Sequence, residues 1–276
     1  MSGESPAVSV VMPVWRPDSV FFAEALSSVL RQTMTDFELI IVEDPSEQSA
    51  AAAVGDAADP RIRYFANSSR TSIVEQHNRG VALARSALVA RFDSDDVCEP
   101  DRLRRQKEFL DRHPEVGVIS SQLVVIDEAG RTLGSRRYPT DPAAVHAAFR
   151  RYNPIANPAV MFRKKIVDVH GGWTQGANGV ARDYAWFSHL AAAGVVFANL
   201  DTPLVRYRLH GATLKRRKLR ETAQTTWDVK REIWLAEMTL ADKLVMIGER
   251  LVTLLPGPLV LDLFRRFRIT RAEPAD

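Results

Sequence analysis

Cysteine is all but missing: Cys98 stands alone in 276 residues, so no disulfide can close within the chain and a disulfide-stapled scaffold is excluded. Long apolar runs are missing as well. Leu251 to Leu255 and Leu259 to Leu263 are the longest stretches; Pro256 and Pro258 part them and Asp262 interrupts the second, so neither reaches the length of a membrane span. Met1 to Pro6 has neither the basic nor the apolar region of a secretory signal, which with the single cysteine points to a reducing, cytoplasmic setting. Charge of one sign is scarce too: 37 Lys and Arg against 34 Asp and Glu leave +3, too little for the chain as a whole to hold nucleic acid. There is no internal repeat. With 46% hydrophobic and 26% charged residues, the composition is that of a globular protein large enough for an enzyme-sized core.

Short β-rich runs alternate with helical patterns through the first half, the rhythm of βαβ units building a mainly parallel sheet covered by helices. Strands are expected at Val8 to Val14, Glu38 to Val42, Ile62 to Ala66 and Leu88 to Phe92, with helices on Phe22 to Leu30 and Val74 to Ala84. Beyond about residue 115 the pattern becomes mixed. Val116 to Ile126, a turn at Asp127 to Gly130 and Thr132 to Tyr138 read as a hairpin. Asn153 to Arg163 reads as a loop entering a strand, Ala181 to Ala193 as a helix, and Val195 to Leu200 and Leu204 to Leu209 as two further strands. From Ala212 onward the chain is predominantly helical, with breaks expected at Gly248 and at Pro256 to Pro258.

Three carboxylates in four residues close the fourth strand, in Phe92-Asp93-Ser94-Asp95-Asp96. Such a cluster at the carboxyl end of a strand in an open α/β sheet lies where ligands bind, and a hard cation, Mg²⁺ or Mn²⁺, relieves its repulsion. The plainer alternative is a solvated acidic turn leading into the helix near Pro100. Asp44 and Trp15 end the second and first strands on the same expected edge, where a uracil-like base fits between a carboxylate and an aromatic ring.

The order of Val8-Ser9-Val10-Val11-Met12-Pro13-Val14, Gln32-Thr33, Phe37 to Asp44, Asn78-Arg79-Gly80, Ala84-Arg85 and Phe92 to Asp96 resembles glycosyltransferase family two. That resemblance implies the Rossmann-like GT-A fold, inversion at the transferred sugar and a nucleotide-sugar donor, here a UDP-sugar. It divides the chain into a GT-A domain over 1–211, with a donor half at 8–115 and an acceptor half at 116–211, and a helical extension over 212–276. It also implies donor contacts from Pro13, Val14, Trp15, Asp44, Asn78, Gly80, Arg85, Asp93, Ser94 and Asp95, and a divalent cation held by Asp95 and Asp93.

Later segments continue the likeness. Asn153 to Arg163, Gly171-Gly172-Trp173 and Arg182-Asp183-Tyr184-Ala185-Trp186 match the family's acceptor region, with Asp183 as the base that takes a proton from the acceptor hydroxyl. Asn157, Trp173, Arg182 and Trp186 are the acceptor contacts, the tryptophans either as sugar-stacking platforms or as core. Asn157 and Arg182 depart from the His and Glu that relatives often carry, and a direct pair with Arg182 would lower the basicity of Asp183. Tyr207-Arg208-Leu209-His210 resembles a late Arg-x-His segment, which adds His210 to the metal side. The expected reaction is transfer to a glycan or lipid-linked acceptor in cell-surface polysaccharide or glycolipid synthesis. Two rival readings are a sugar-nucleotidyltransferase, disfavoured because Pro13 to Asp18 has no glycine to cradle phosphate, and a binding module that has lost turnover. Lys215, Arg216, Arg217, Lys218 and Arg220, with four more arginines in Phe264 to Arg271 beside the apolar Leu251 to Leu263, suggest contact with an anionic membrane surface.

Overall fold

The computed structural model describes residues 5–174, 181–210, 216–252 and 270–271. Strands β1 (Val8–Val14), β2 (Phe37–Glu43), β3 (Ile62–Ala66) and β4 (Leu88–Arg91) run parallel in the order β3-β2-β1-β4, so their carboxyl ends share one edge. β1 and β2 are buried along their whole length, which is why they read as near-continuous apolar runs. Alternate side chains then serve two faces. Val10, Met12 and Val14 pack against Phe22 and Leu26 of α1 (Ser19–Leu30) and, after the short α2 (Ala51–Ala57), Val11, Ile40 and Val42 meet Val74 and Val81 of α3 (Ile73–Leu83) on the opposite face. The Asp18 carboxylate caps α1 by accepting from the backbone N–H of Val20 and Phe21, and Ser72 and Glu75 form a reciprocal capping box on α3. Each such cap stabilises its helix by about 1 kcal/mol.

After β5 (Val97–Cys98) and α4 (Arg102–Arg112) the sheet turns mixed. The long β6 (Val116–Ile126) pairs antiparallel with β7 (Thr132–Arg136), and then follow α5 (Pro142–Ala148), a 3-10 turn at Asn157–Ala159, β8 (Met161–Arg163), α6 (Lys165–His170) and α7 (Arg182–Ala192). β8 bridges the halves, antiparallel to both β4 and β6. Where two strands are expected after Val195, the structure has one, β9 (Val196–Arg208), parallel to β6 with its register shifted near Pro203. Asp201 and Thr202 look like turn residues, yet the strand absorbs them as an irregularity because both flanks stay paired to β6.

The C-terminal segment is helical: α8 (Arg216–Val229), a π-helical turn at Lys230–Trp234, and α9 (Leu240–Val252). Gly248 does not break α9; the interruption falls instead at residues 230–239. It falls there because Trp234, fully buried, is packed with its ring 6.0 Å from Phe149 and 5.4 Å from His146 by centroid. Thr270–Arg271 adds a short strand, β10, beside β7. Pro256, Pro258, Lys215 and the arginines at Arg265, Arg266 and Arg268 lie outside the described residues.

Candidate active site

The carboxyl edge of β1, β2 and β4 brings Trp15, Asp44 and the aspartate loop together, as parallel strands of this topology must. Asp44 is almost wholly buried. Its carboxylate accepts from Asn67 Nδ2 at 2.5 Å, from the Thr71 backbone N–H at 2.7 Å and from the Thr71 hydroxyl at 2.9 Å. Trp15 keeps a partly open ring covered by the Arg70 guanidinium, 3.6 Å from the ring centroid. Arg70 escapes sequence reasoning because it lies in a loop with no motif of its own. Pro13 and Val14 are buried strand residues, and the Val14 carbonyl accepts from the Asp44 N–H and from Gln76 Nε2.

Asp93, Asp95 and Asp96 follow β4 and meet three different fates. Arg91 holds Asp93 through a two-pronged ion pair, Nη2 to Oδ1 at 2.6 Å and Nη1 to Oδ2 at 2.8 Å. Asp95 Oδ2 lies 2.9 Å from His210 Nε2, and burial followed by the neighbouring Asp93 charge raises its pKa. Asp96 is fully buried; Oδ1 accepts the Arg208 backbone N–H at 2.8 Å, while Oδ2 has no hydrogen-bond partner among the described residues. Burial, then Asp93 and Asp95, push the Asp96 carboxyl well above its ordinary value. Ser94 forms the half-exposed turn between them.

Arg208 locks this loop in place. Its backbone holds Asp96, its Nε donates to the Asp95 carbonyl at 2.9 Å, and its buried guanidinium pairs with Glu24 of α1. Among the described residues no three His, Cys, Asp or Glu side chains converge as a ready-made metal cage. The donor set nonetheless fits a hard divalent cation, because Asp95 and His210 already touch, a buried Asp96 oxygen lacks a partner, and such ions take one or two protein carboxylates plus substrate phosphates.

Asp183 occupies the first turn of α7, half-buried, with Asn153 Nδ2 donating to its Oδ2 at 3.0 Å. Burial raises its pKa, against the lowering effect of its hydrogen bonds and of the Arg91 charge. Arg91 grips Asp93, its charge acts on Asp183, and its Nε donates to His77 Nε2 at 3.1 Å. Burial holds the His77 pKa well below its usual value, so the neutral ring can accept that bond. Arg182 makes no ion pair with Asp183 among the described residues, and its buried Nε has no partner there.

Residues 9–174 match the sequence model of glycosyl transferase family 2. The chain belongs to that family. It is similar to the amylovoran biosynthesis glycosyltransferase AmsE of Erwinia amylovora, with 26% identity over 223 residues and 80% of each chain covered. It is also similar to the UDP-Gal:alpha-D-GlcNAc-diphosphoundecaprenol beta-1,3-galactosyltransferase of Escherichia coli, with 27% identity over 220 residues and 79% of each chain covered. Among solved structures, the mannosyltransferase PcManGT from Pyrobaculum calidifontis, in complex with GDP-Man and Mn2+, shares the GT-A fold at a TM-score of 0.65, with 14% identity over 94% of this chain and 73% of that one.

Several motif residues of this glycosyltransferase lie away from the carboxyl edge. Arg85 precedes β4 at the opposite end of the sheet, where it donates to Glu38 at 2.9 Å, so it is no donor contact. Gly80 packs α3 on β1: a Cβ there would come within 2.3 Å of Val11 Cγ1, and that close approach is the reason for glycine. Asn78 ties α3 to the Gly171-Gly172-Trp173 turn, donating to the Trp173 carbonyl at 2.8 Å and accepting its N–H at 3.0 Å. Trp173 and Trp186 are core rather than platforms, 5% and 3% exposed and stacked on each other with centroids 3.8 Å apart. Asn157 sits half-buried in the 3-10 turn with its Oδ1 unpartnered among the described residues.

Proposed function

We propose that this glycosyltransferase transfers a sugar, with inversion, from a UDP-sugar to a hydroxyl of a glycan or lipid-linked acceptor in cell-surface polysaccharide or glycolipid synthesis. The observation that carries the reading is that one buried cation, Arg91, pairs with Asp93 of the acidic loop while its charge also acts on Asp183, the candidate base. An inverting displacement needs a leaving diphosphate on one face of the anomeric carbon and a base on the other. The names of the two relatives support the donor and the pathway class: one is a transferase from UDP-Gal to a diphosphoundecaprenol-linked acceptor, the other a glycosyltransferase of amylovoran biosynthesis.

Trp15, its ring capped by Arg70, and Asp44, fixed by Asn67 and Thr71, form the wall against which the base would lie. Asp95 and His210, with Asp93 next to them, would hold Mg²⁺ or Mn²⁺. When bound, that ion neutralises charge gathering on the departing diphosphate, an effect worth several kcal/mol. Asp183 takes the acceptor proton at its carboxylate; its burial strengthens it as a base, and Asn153 fixes its orientation. The buried Arg182 Nε, which has no partner among the described residues, would donate to an anionic or hydroxyl group of the acceptor beside that base.

A screen of nucleotide sugars for Mn²⁺-dependent turnover tests donor and reaction together. Asp183→Asn should lower kcat by about 10²–10⁴-fold while Mn²⁺-dependent UDP binding, read by calorimetry, is retained. Unchanged turnover in that variant would remove Asp183 as the base, and UDP binding that ignores the metal would remove the Asp95 site.

A further inference from the structure

We infer that a cavity behind the aspartate loop is a second ligand site, for a small molecule or headgroup that carries a phosphoryl group. The cavity, of about 490 Å³, lies between α1, β5, the last residues of β9 and the turn that joins β6 to β7. That volume is in the range of small-molecule sites. Glu24 and Arg31 line it from α1, Arg206 and Arg208 from β9, and Gly130 from the turn. Arg206 and Arg208 reach it together because they stand two residues apart on one strand and so share a face.

The lining holds three arginines against one carboxylate, Glu24, and Arg208 already pairs with that one. The other two guanidinium groups keep donors to spare. Arg31 is exposed at the end of α1 and has no ion pair among the described residues. Glu99 approaches Arg206 Nε at 3.4 Å from outside the lining, yet that buried N–H makes no hydrogen bond among the described residues. A phosphoryl group brings up to two negative charges and three acceptor oxygens to such a pair of forks, whereas a carboxylate brings one charge and two oxygens.

The cavity is separate from the donor edge. Arg208 stands between the two, its Nε on the Asp95 carbonyl and its Nη2 on Glu24 in the cavity wall. A phosphoryl group held there is met by arginines and needs no divalent cation, unlike a diphosphate at Asp95.

Glucose 1-phosphate titrated into the full chain in EDTA, followed by calorimetry, tests the site without the cation that the donor reading requires. The wild type should bind it, and Arg31→Gln combined with Arg206→Gln should weaken binding about 100-fold, since each charge-assisted hydrogen bond lost costs about tenfold. Flotation with vesicles containing phosphatidic acid forms the second arm. Vesicle binding alone, lost in the double variant, assigns the site to a lipid headgroup; binding of the sugar phosphate alone assigns it to a soluble ligand. Absence of binding in both arms overturns the proposal, and so does binding that a folded double variant retains. Circular dichroism reports folding, and Arg31→Glu, an exposed single change that leaves Arg206 and Glu99 in place, repeats the test should the double variant unfold. Mn²⁺-dependent UDP binding, measured on the same variants, should stay at the wild-type level, so failure of the donor reading is distinguishable from failure of this one.

Discussion

At the scale of single residues, the site is organised by a side chain whose charge is out of place in its strand. Arg91 ends β4, is 6% exposed, and would be costly to bury without the Asp93 fork and the neutral His77 ring. Arg91→Gln should destabilise the fold by about 2–3 kcal/mol, toward the low end for a broken buried pair because Asp93 keeps some contact with water. It should also move the acid limb of kcat/KM to higher pH, since the Arg91 charge lowers the Asp183 pKa and its removal leaves only the hydrogen bonds to oppose burial. Arg91→Lys keeps the charge but not the fork, so it should restore the limb while kcat stays below wild type. Urea melts and pH–rate profiles read these outcomes, and an acid limb that does not move in Arg91→Gln would detach Arg91 from the base.

Elements carry two further expectations. A methyl group on Gly80 meets the Val11 side chain in the middle of the parallel sheet, so Gly80→Ala should cost about 1–3 kcal/mol in a urea melt although alanine is the better helix former; a neutral result would mean that α3 can lift away from β1. Asp242, bonded to Thr239 and Arg151, has its pKa lowered to about 2. A lowered carboxyl pKa contributes stability that is present above the ordinary value of 3.8 and lost as pH falls through about 2. Wild type and Asp242→Asn should therefore differ by about 1–2 kcal/mol near neutrality and converge in strong acid, as followed by chemical denaturation across that range. The parallel strands were legible because a strand buried on both faces must be an apolar run, and the helices because their buried stripe repeats. What was not legible is placement. Motif order says that Gly80 and Arg85 belong to a recurring pattern, but only the pairing of β4 beside β1 shows that Arg85 lies at the far end of the sheet from Asp93. Likewise Trp173 and Trp186, distant in sequence, become core because α7 folds one onto the other. The positions of Asp44, Asp95 and Asp183, by contrast, were legible, since the apolar runs of β2 and β4 and the helical stripe of α7 fix which strand or helix end each one occupies.

For the molecule as a whole, the question is whether the helical extension is an appendage or part of the body. Trp234 answers for the body: it is fully buried, stacks on Phe149 at 6.0 Å and an interplanar angle of 15°, and belongs to the same apolar cluster as Tyr184 and Phe187 of α7, the helix that begins with Asp183. A helix pair lacking a core of its own cannot hold together once that anchor is gone. Trp234→Ala should therefore remove about 3–5 kcal/mol from a single cooperative transition and should lower turnover by loosening α7, though the residue is remote from the substrate. Trp234→Phe should cost much less, because the buried indole N–H has no partner among the described residues and phenylalanine keeps the stack. Calorimetry distinguishes the alternatives. If Trp234→Ala splits melting into two transitions, with the donor half unchanged, the extension folds by itself and the acceptor side of the site does not depend on it.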